Sequence, residues 1–133
     1  MNLTSIEVRQ VSACSDVVNF TFFSPDVAAP SYTVSVQPGP FTMASSGETV
    51  TIPGKKFVMV RFEPAATYDF AAGTPTYIGS ESITPKVAAS VQRVQLIDDS
   101  EGVVVWVIGL SELETFETLT TANPPALQIT MHR

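Results

Sequence analysis

The sequence predicts an all-β fold: a single-domain antiparallel β-sandwich, or a partly open barrel, with one long irregular loop. Short segments rich in β-branched and aromatic residues recur along the chain and mostly alternate apolar with polar residues. Turns that contain proline or glycine separate these segments. With 133 residues, 44% of them hydrophobic, the chain has the size of one domain with its own core. We therefore expect one domain over residues 1–133.

The predicted strands follow one another at short intervals, in the order SIEVRQV, VVNFTFF, YTVSVQ, ETVTI, FVMVRF, VQRVQLI, VVVWVIGL and LQITMH. Pro53 and Gly54 suit the centre of a tight turn, so residues 47–62 are predicted to form an antiparallel hairpin. LSELETF, at residues 110–116, is too short for a stable helix and is predicted to be one helical turn or a loop.

The strand at residues 103–110 is apolar on both faces, which predicts a central strand covered on both sides. Trp106 is therefore expected to anchor the core. Gly102 permits a positive φ at the entrance to this strand, and Gly109 indicates a bulge or a close approach of another segment.

An acidic run, Asp98, Asp99 and Glu101, precedes this strand. Two of these carboxylates, or one of them with Asp69, could act as an acid–base pair, and together with ligands from other loops they could bind calcium. A solvated turn is the simpler interpretation. We expect no catalytic residue and no metal ligand here.

Composition excludes several classes of function. A net charge of −6 opposes binding to nucleic acid or to an anionic membrane surface. The longest apolar run is too short for a transmembrane helix, and no phosphate- or dinucleotide-binding motif is present, so no cofactor is expected. The single histidine, His132, is penultimate, where termini tend to fray, which argues against a serine or cysteine hydrolase. The single cysteine, Cys14, is expected to be a small buried thiol. We expect that the chain is not an enzyme.

The segment from Glu63 to Ser90 is longer than an ordinary connection and holds no clear strand, and such loops are often functional. Tyr68, Asp69 and Tyr77, with Phe70 between them, offer ring faces and a hydrogen-bond acceptor to a saccharide or a peptide. Tyr68, Asp69 and Tyr77 are the candidate ligand-binding residues. The alternative is that the aromatic rings hold the loop on the sandwich.

Six segments occur in an order that carries a resemblance: DVVNFTF, PSYTVSV, GETVTIPGKKFVMVRF, YIGS, EGVVVWVIGL and NPPALQITM. From Ile6 to Met131 the chain resembles the AMIN-like domain of actinobacterial secreted proteins and lipoproteins. The matching positions are Asp16, Glu101, Gly102, Ile108, Gly109, Leu110, Pro124, Pro125 and Leu127. The chain departs from the family pattern at three positions, where Val17 and Ala126 replace arginines and Thr130 replaces an aspartate.

The resemblance implies a non-catalytic, exported β-sandwich module of the cell envelope. Related AMIN domains are associated with targeting envelope proteins, through peptidoglycan or another cell-wall polymer, so the implied partner is such a polymer or an envelope protein. The alternative is a structural or protein-interaction domain that docks another chain through a sheet edge or through residues 63–90. The first residues lack the pattern of a secretory signal, so any export signal or lipid anchor is expected outside this sequence.

Overall fold

The computed structural model describes residues 1–25 and 28–133, and within them the chain forms thirteen strands and no helix. In chain order the strands are β1 (Asn2–Ser12), β2 (Ser15–Phe23), β3 (Tyr32–Val36), β4 (Phe41–Thr42), β5 (Thr49–Val50), β6 (Lys56–Phe62), β7 (Tyr68–Asp69), β8 (Thr74–Pro75), β9 (Ser82–Ile83), β10 (Val91–Ser100), β11 (Val103–Leu110), β12 (Thr115–Ala122) and β13 (Pro125–His132). The predicted all-β class is confirmed.

Two antiparallel sheets pack face to face. One has four strands in the order β1-β2-β13-β12, and the other has five in the order β3-β6-β11-β10-β9. Two further ribbons, β4-β5 and β7-β8, lie outside these sheets. Within the described residues no sheet closes into a barrel, so the sandwich is the correct one of the two predicted architectures.

The main core lies between the two sheets, around Trp106. This side chain is fully buried, and its ring centroid lies 6.3 Å from that of Phe20 on the opposite sheet. Phe20 in turn packs edge-on against Phe62, at 5.2 Å. The role of Trp106 as a core anchor is confirmed.

The second face of β11 is covered by the β4-β5 ribbon. Val105 and Val107 point to this face and are buried with Phe41 and Ile52 in a smaller cluster. β11 itself pairs with β6 on one side and β10 on the other. The prediction of a central strand covered on both faces is confirmed.

The predicted hairpin over residues 47–62 is wrong. β5 pairs with β4, whereas β6 pairs with β3 and β11. Instead of reversing the chain within one ribbon, Pro53 and Gly54 cross over the end of β11. A Cβ atom at Gly109 would lie 2.1 Å from the carbonyl oxygen of Pro53, so the close approach expected at Gly109 is confirmed.

The loop predicted at residues 110–116 is confirmed for residues 111–114, but β12 begins at Thr115 and pairs with β13. β12 is the outer strand of its sheet, and most of its side chains are exposed. Since an outer strand buries few side chains, its sequence lacks the apolar alternation that predicts the other strands.

A buried carboxylate joins the two sheets. Asp16, in β2, has no exposed surface. Its Oδ1 accepts a hydrogen bond from the backbone N–H of Ala89 at 2.7 Å, and its Oδ2 accepts from Ser90 and Val91 at 2.8 and 2.9 Å. These three donors end the 63–90 connection and begin β10, so one side chain fixes the start of a strand in the opposite sheet.

Replacing Asp16 by alanine should leave three backbone donors without their acceptor. We expect Asp16→Ala to lower the free energy of unfolding by about 3 kcal/mol or more, measured by urea denaturation. Asp16→Asn keeps one acceptor oxygen and should lose less. Asp98→Ala, at a partly exposed position, should stay within about 1 kcal/mol of the wild type. Equal losses for Asp16→Ala and Asp98→Ala would contradict this account.

Gly109→Ala should be destabilising because the new methyl group meets backbone rather than a movable side chain. We expect a loss of about 1–3 kcal/mol, the usual cost of overpacking, in the same unfolding measurement. Gly73→Ala is the comparison: Gly73 has φ +71°, and a methyl group added there would have open space for 4 Å around it. That variant pays only for the left-handed conformation, about 1 kcal/mol. If Gly109→Ala proves milder than Gly73→Ala, the steric explanation fails.

Candidate functional site

The connection between Glu63 and Ser90 is long, as predicted, but it is held at its start. The Ala65 N–H donates to the carbonyl of Gly102 at 2.8 Å, and the Ala66 N–H donates to that of Met1 at 3.1 Å. The Leu3 N–H donates back to the carbonyl of Ala66 at 2.8 Å. These bonds attach the segment to the start of β1 and to the turn between β10 and β11.

Two aromatic rings follow directly and face solvent. The ring centroids of Tyr68 and Phe70 lie 5.0 Å apart, with an interplanar angle of 59°. Tyr68 is 37% exposed and Phe70 is 83% exposed. We call Tyr68, Asp69 and Phe70 the aromatic platform. An exposed aromatic pair costs solvation free energy when it has no partner, so it marks a candidate contact surface.

Asp69 fixes the turn that carries the platform. Its Oδ1 accepts from the backbone N–H groups of Ala71 and Ala72, at 3.0 and 3.1 Å. Gly73, with positive φ, closes the turn through its N–H bond to the Asp69 carbonyl at 2.8 Å. Among the described residues only Oδ1 of the carboxylate is engaged, which leaves Oδ2 to accept a hydrogen bond from a ligand.

An open groove of about 320 Å³ adjoins the platform. Its other walls come from three separate parts of the chain, namely Met1 and Asn2, residues 64–66, and Gly102. The Asn2 side-chain amide donates to the carbonyl of Tyr68 at 3.0 Å, which holds the platform against β1. Aromatic ring faces can stack on the apolar face of a sugar ring, and a carboxylate beside them can accept hydrogen bonds from the hydroxyl groups of the sugar.

Phe70 is not among the candidate ligand-binding residues of the sequence analysis, although it is the most exposed ring of the group. The sequence YDFAAG does contain a signal for it. Aspartate and glycine are common turn residues, so a turn over residues 69–73 could be predicted, and Phe70 lies within it.

Tyr77 lies apart from the platform rings and packs on the core. Its ring meets Trp106 edge-on at a centroid distance of 5.6 Å, and its hydroxyl donates to the carbonyl of Ser80 at 2.5 Å. Burial raises the pKa of the Tyr77 hydroxyl above the usual value for tyrosine, and the negative charge of Glu81 raises it further. The structure thus brings Tyr68 and Asp69 together but turns the Tyr77 ring toward the sandwich.

The acidic run is not one turn, as predicted, because Asp98 and Asp99 extend β10. Only Glu101 and Gly102 form the turn, both with positive φ. Asp98 pairs with Val105 and Asp99 with Val104, so the two carboxylates point to opposite faces of the sheet. Asp98 accepts from Ser100, and Asp99 from Thr67. Among the described residues, no three His, Cys, Asp or Glu side chains are grouped closely enough to hold a metal ion.

The expected fraying at His132 is wrong. β13 pairs on both sides through this residue, with Thr115 of β12 and Ser15 of β2. His132 Nδ1 is 2.8 Å from Ser15 Oγ, and its Nε2 is 2.7 Å from Glu117 Oε1. These are the residue types of a hydrolytic triad, but here they lie side by side on the outer face of the four-stranded sheet, on β2, β13 and β12. We therefore interpret the cluster as a structural one, whose two side-chain contacts hold the three strands together.

Cys14 is exposed in the turn between β1 and β2, so the expectation of a buried thiol is wrong. The turn reverses the chain between two strands at one side of the four-stranded sheet, and its side chains face solvent.

Within the described part of the chain, no helix has the length and apolarity needed to span a membrane.

Two of the positions that depart from the family pattern are direct neighbours. Val17 of β2 pairs with Thr130 of β13, and Val17 also pairs with Arg9 of β1. The arginine and aspartate implied by the resemblance at positions 17 and 130 would therefore face each other across two strands. Ala126 pairs with Thr21, further along the same strands. In this chain Val17 and Thr130 make an uncharged contact at the place where the resemblance implies opposite charges.

Tyr77 gives a testable dependence of stability on pH. A raised pKa means that folding favours the neutral phenol. The contribution of the Tyr77 hydroxyl to the stability of the fold is therefore complete below about pH 10 and is lost as the pH rises through the folded-state pKa. Tyr77→Phe should lose about 1 kcal/mol at neutral pH, because it lacks the hydrogen bond to Ser80. Urea unfolding of both proteins at increasing alkaline pH should show the difference between them shrinking. A difference that stays constant would contradict the assignment.

Comparison with known proteins gives one match. The family model of the AMIN-like domain matches residues 4–132. No curated protein and no solved structure is significantly similar to the chain. The match covers both main sheets and the aromatic platform, from β1 to the end of β13. The chain belongs to the AMIN-like domain family.

Proposed function

We propose that this chain is a non-catalytic, exported module of the cell envelope that binds the glycan strands of peptidoglycan on its aromatic platform. Membership of the AMIN-like family supports targeting to the cell envelope. The resemblance implies a cell-wall polymer as partner, and the proposal adds the glycan strands as the part that is bound and the aromatic platform as the site that binds them.

The aromatic platform is the observation that carries this proposal. Phe70 is 83% exposed, although burying a phenylalanine side chain is worth about 1.5–3 kcal/mol. The turn that displays it is held by Asp69 and by one hydrogen bond from the Asn2 side chain to the carbonyl of Tyr68. A rigid, exposed pair of rings loses little conformational entropy when a ligand stacks on it.

Charge selects among the polymers of a cell wall. The chain has a net charge of −6, and a carboxylate, Asp69, lies within the platform itself. Repulsion would oppose a polyphosphate chain at this place. A glycan backbone, with hydroxyl and amide groups that donate hydrogen bonds and with apolar ring faces, is chemically compatible.

Removing the exposed ring should weaken binding without changing the fold. We expect Phe70→Ala to lower affinity for purified insoluble peptidoglycan about 5- to 30-fold, as loss of about 1–2 kcal/mol of stacking predicts. Cosedimentation across a range of peptidoglycan concentrations measures the change. Tyr68→Phe keeps a ring face and should bind nearly as well as the wild type, whereas Tyr68→Ala should not.

Ile78→Ala is the matched control, since Ile78 belongs to the same connection and is 86% exposed, but it offers no ring face. It should bind like the wild type. A wild-type chain that remains in the supernatant, or equal losses for Phe70→Ala and Ile78→Ala, would refute the proposal. Tighter binding to a polyphosphate wall polymer than to peptidoglycan would refute the choice of ligand.

A further inference from the structure

The two outer strands of the four-stranded sheet differ in how they expose their edges. β1 carries Glu7 and Arg9, and its pairing with β2 is interrupted by two register shifts. β12 pairs with β13 without a shift from Thr115 to Ala122. Charges and bulges are the usual means by which a sheet edge is kept from pairing with another strand. β1 has both of them, whereas β12 carries a single charge, at Glu117.

The one charge on β12 is already engaged within the chain. Glu117 bonds to His132 on the neighbouring strand, across the outer face of the sheet. Beside it on the same face, Leu119 is 59% exposed. The remaining side chains are Phe116, Ala122 and four threonines, a composition that favours β-pairing.

We propose that β12 is a strand-pairing surface whose partner is β12 of a second copy of this chain. A two-fold axis perpendicular to the sheet would join two four-stranded sheets, edge to edge, into one continuous antiparallel sheet. Such an axis places a residue opposite its own copy, and the sequence of β12 decides which residue that is.

The proposed register has Leu119 on the axis. With Leu119 on the axis, the two leucines meet, Glu117 faces Thr121 of the partner, and Thr118 faces Thr120 of the partner. Apolar and threonine pairs of this kind stabilise neighbouring strands. With Glu117 on the axis, two carboxylates would face each other, and with Thr118 on the axis each leucine would face a glutamate.

Self-association in solution tests the proposal. An interface of one strand pair is small, so we expect a dimer that forms in the range from about 10 μM to about 1 mM. Sedimentation velocity should show the wild-type mass rising from one chain of 14.3 kDa toward two as concentration increases. Leu119→Lys should stay monomeric throughout, because it places two ammonium groups together at the axis.

Charge exchange makes the test specific. Leu119→Glu alone should also stay monomeric, whereas an equimolar mixture of Leu119→Lys and Leu119→Glu should dimerise at least as strongly as the wild type. Val11→Lys adds the same charge to β1, at a residue that is 55% exposed, and should leave the dimer unchanged. Circular dichroism of every variant should match the wild type.

A wild-type chain that stays monomeric at the highest concentration would overturn the proposal. So would loss of the dimer in Val11→Lys, or a charge-exchange mixture that remains monomeric. These outcomes are independent of peptidoglycan binding, because the aromatic platform and β12 share no residue.

Discussion

The buried carboxylate of Asp16 is the interaction on which the arrangement of the sandwich depends. Burying an ionised group is costly, and the cost is offset here by three backbone donors from residues 89–91 of the other half of the fold. The same donors would otherwise be unpaired where the long connection enters β10. Asp16 thus gives the three backbone donors an acceptor, and the donors offset the cost of burying the carboxylate. With this end held by Asp16 and the other by Gly102 and Met1, the 63–90 connection can display side chains on a stable frame.

A second constraint is the apolar character of β11 on both faces. A strand of this kind requires two covers, and the four-stranded sheet can supply only one. The β4-β5 ribbon supplies the other, and the chain must then cross β11 to enter β6. Gly109 permits that crossing because it has no side chain where Pro53 passes. Glycine is therefore required at position 109 because the β4-β5 ribbon covers β11, although Gly109 and Pro53 are far apart in sequence.

The predictions that succeeded relied on patterns within one segment. The central strand could be recognised from Val103 to Leu110, since its composition reports burial directly. The predictions that failed concerned partners. Pro53 and Gly54 indicate that the chain turns, but not which strand lies beneath them. His132 is held by strands from both ends of the chain, which no local pattern reveals. For the candidate site, the loop and two of its residues were recognisable as polar and aromatic, whereas the direction of the Tyr77 ring depended on where Trp106 lies.

The position of Cys14 has a practical consequence. It sits in the turn at the end of β1, where Arg133 donates to its carbonyl at 2.9 Å, while Met1 and the aromatic platform lie at the beginning of β1. Eleven residues of extended strand separate the two places, about 35 Å. A dye or a surface coupled to this sole thiol would therefore sit at one pole of the molecule and leave the opposite pole free. Oriented immobilisation requires no engineered residue in this chain.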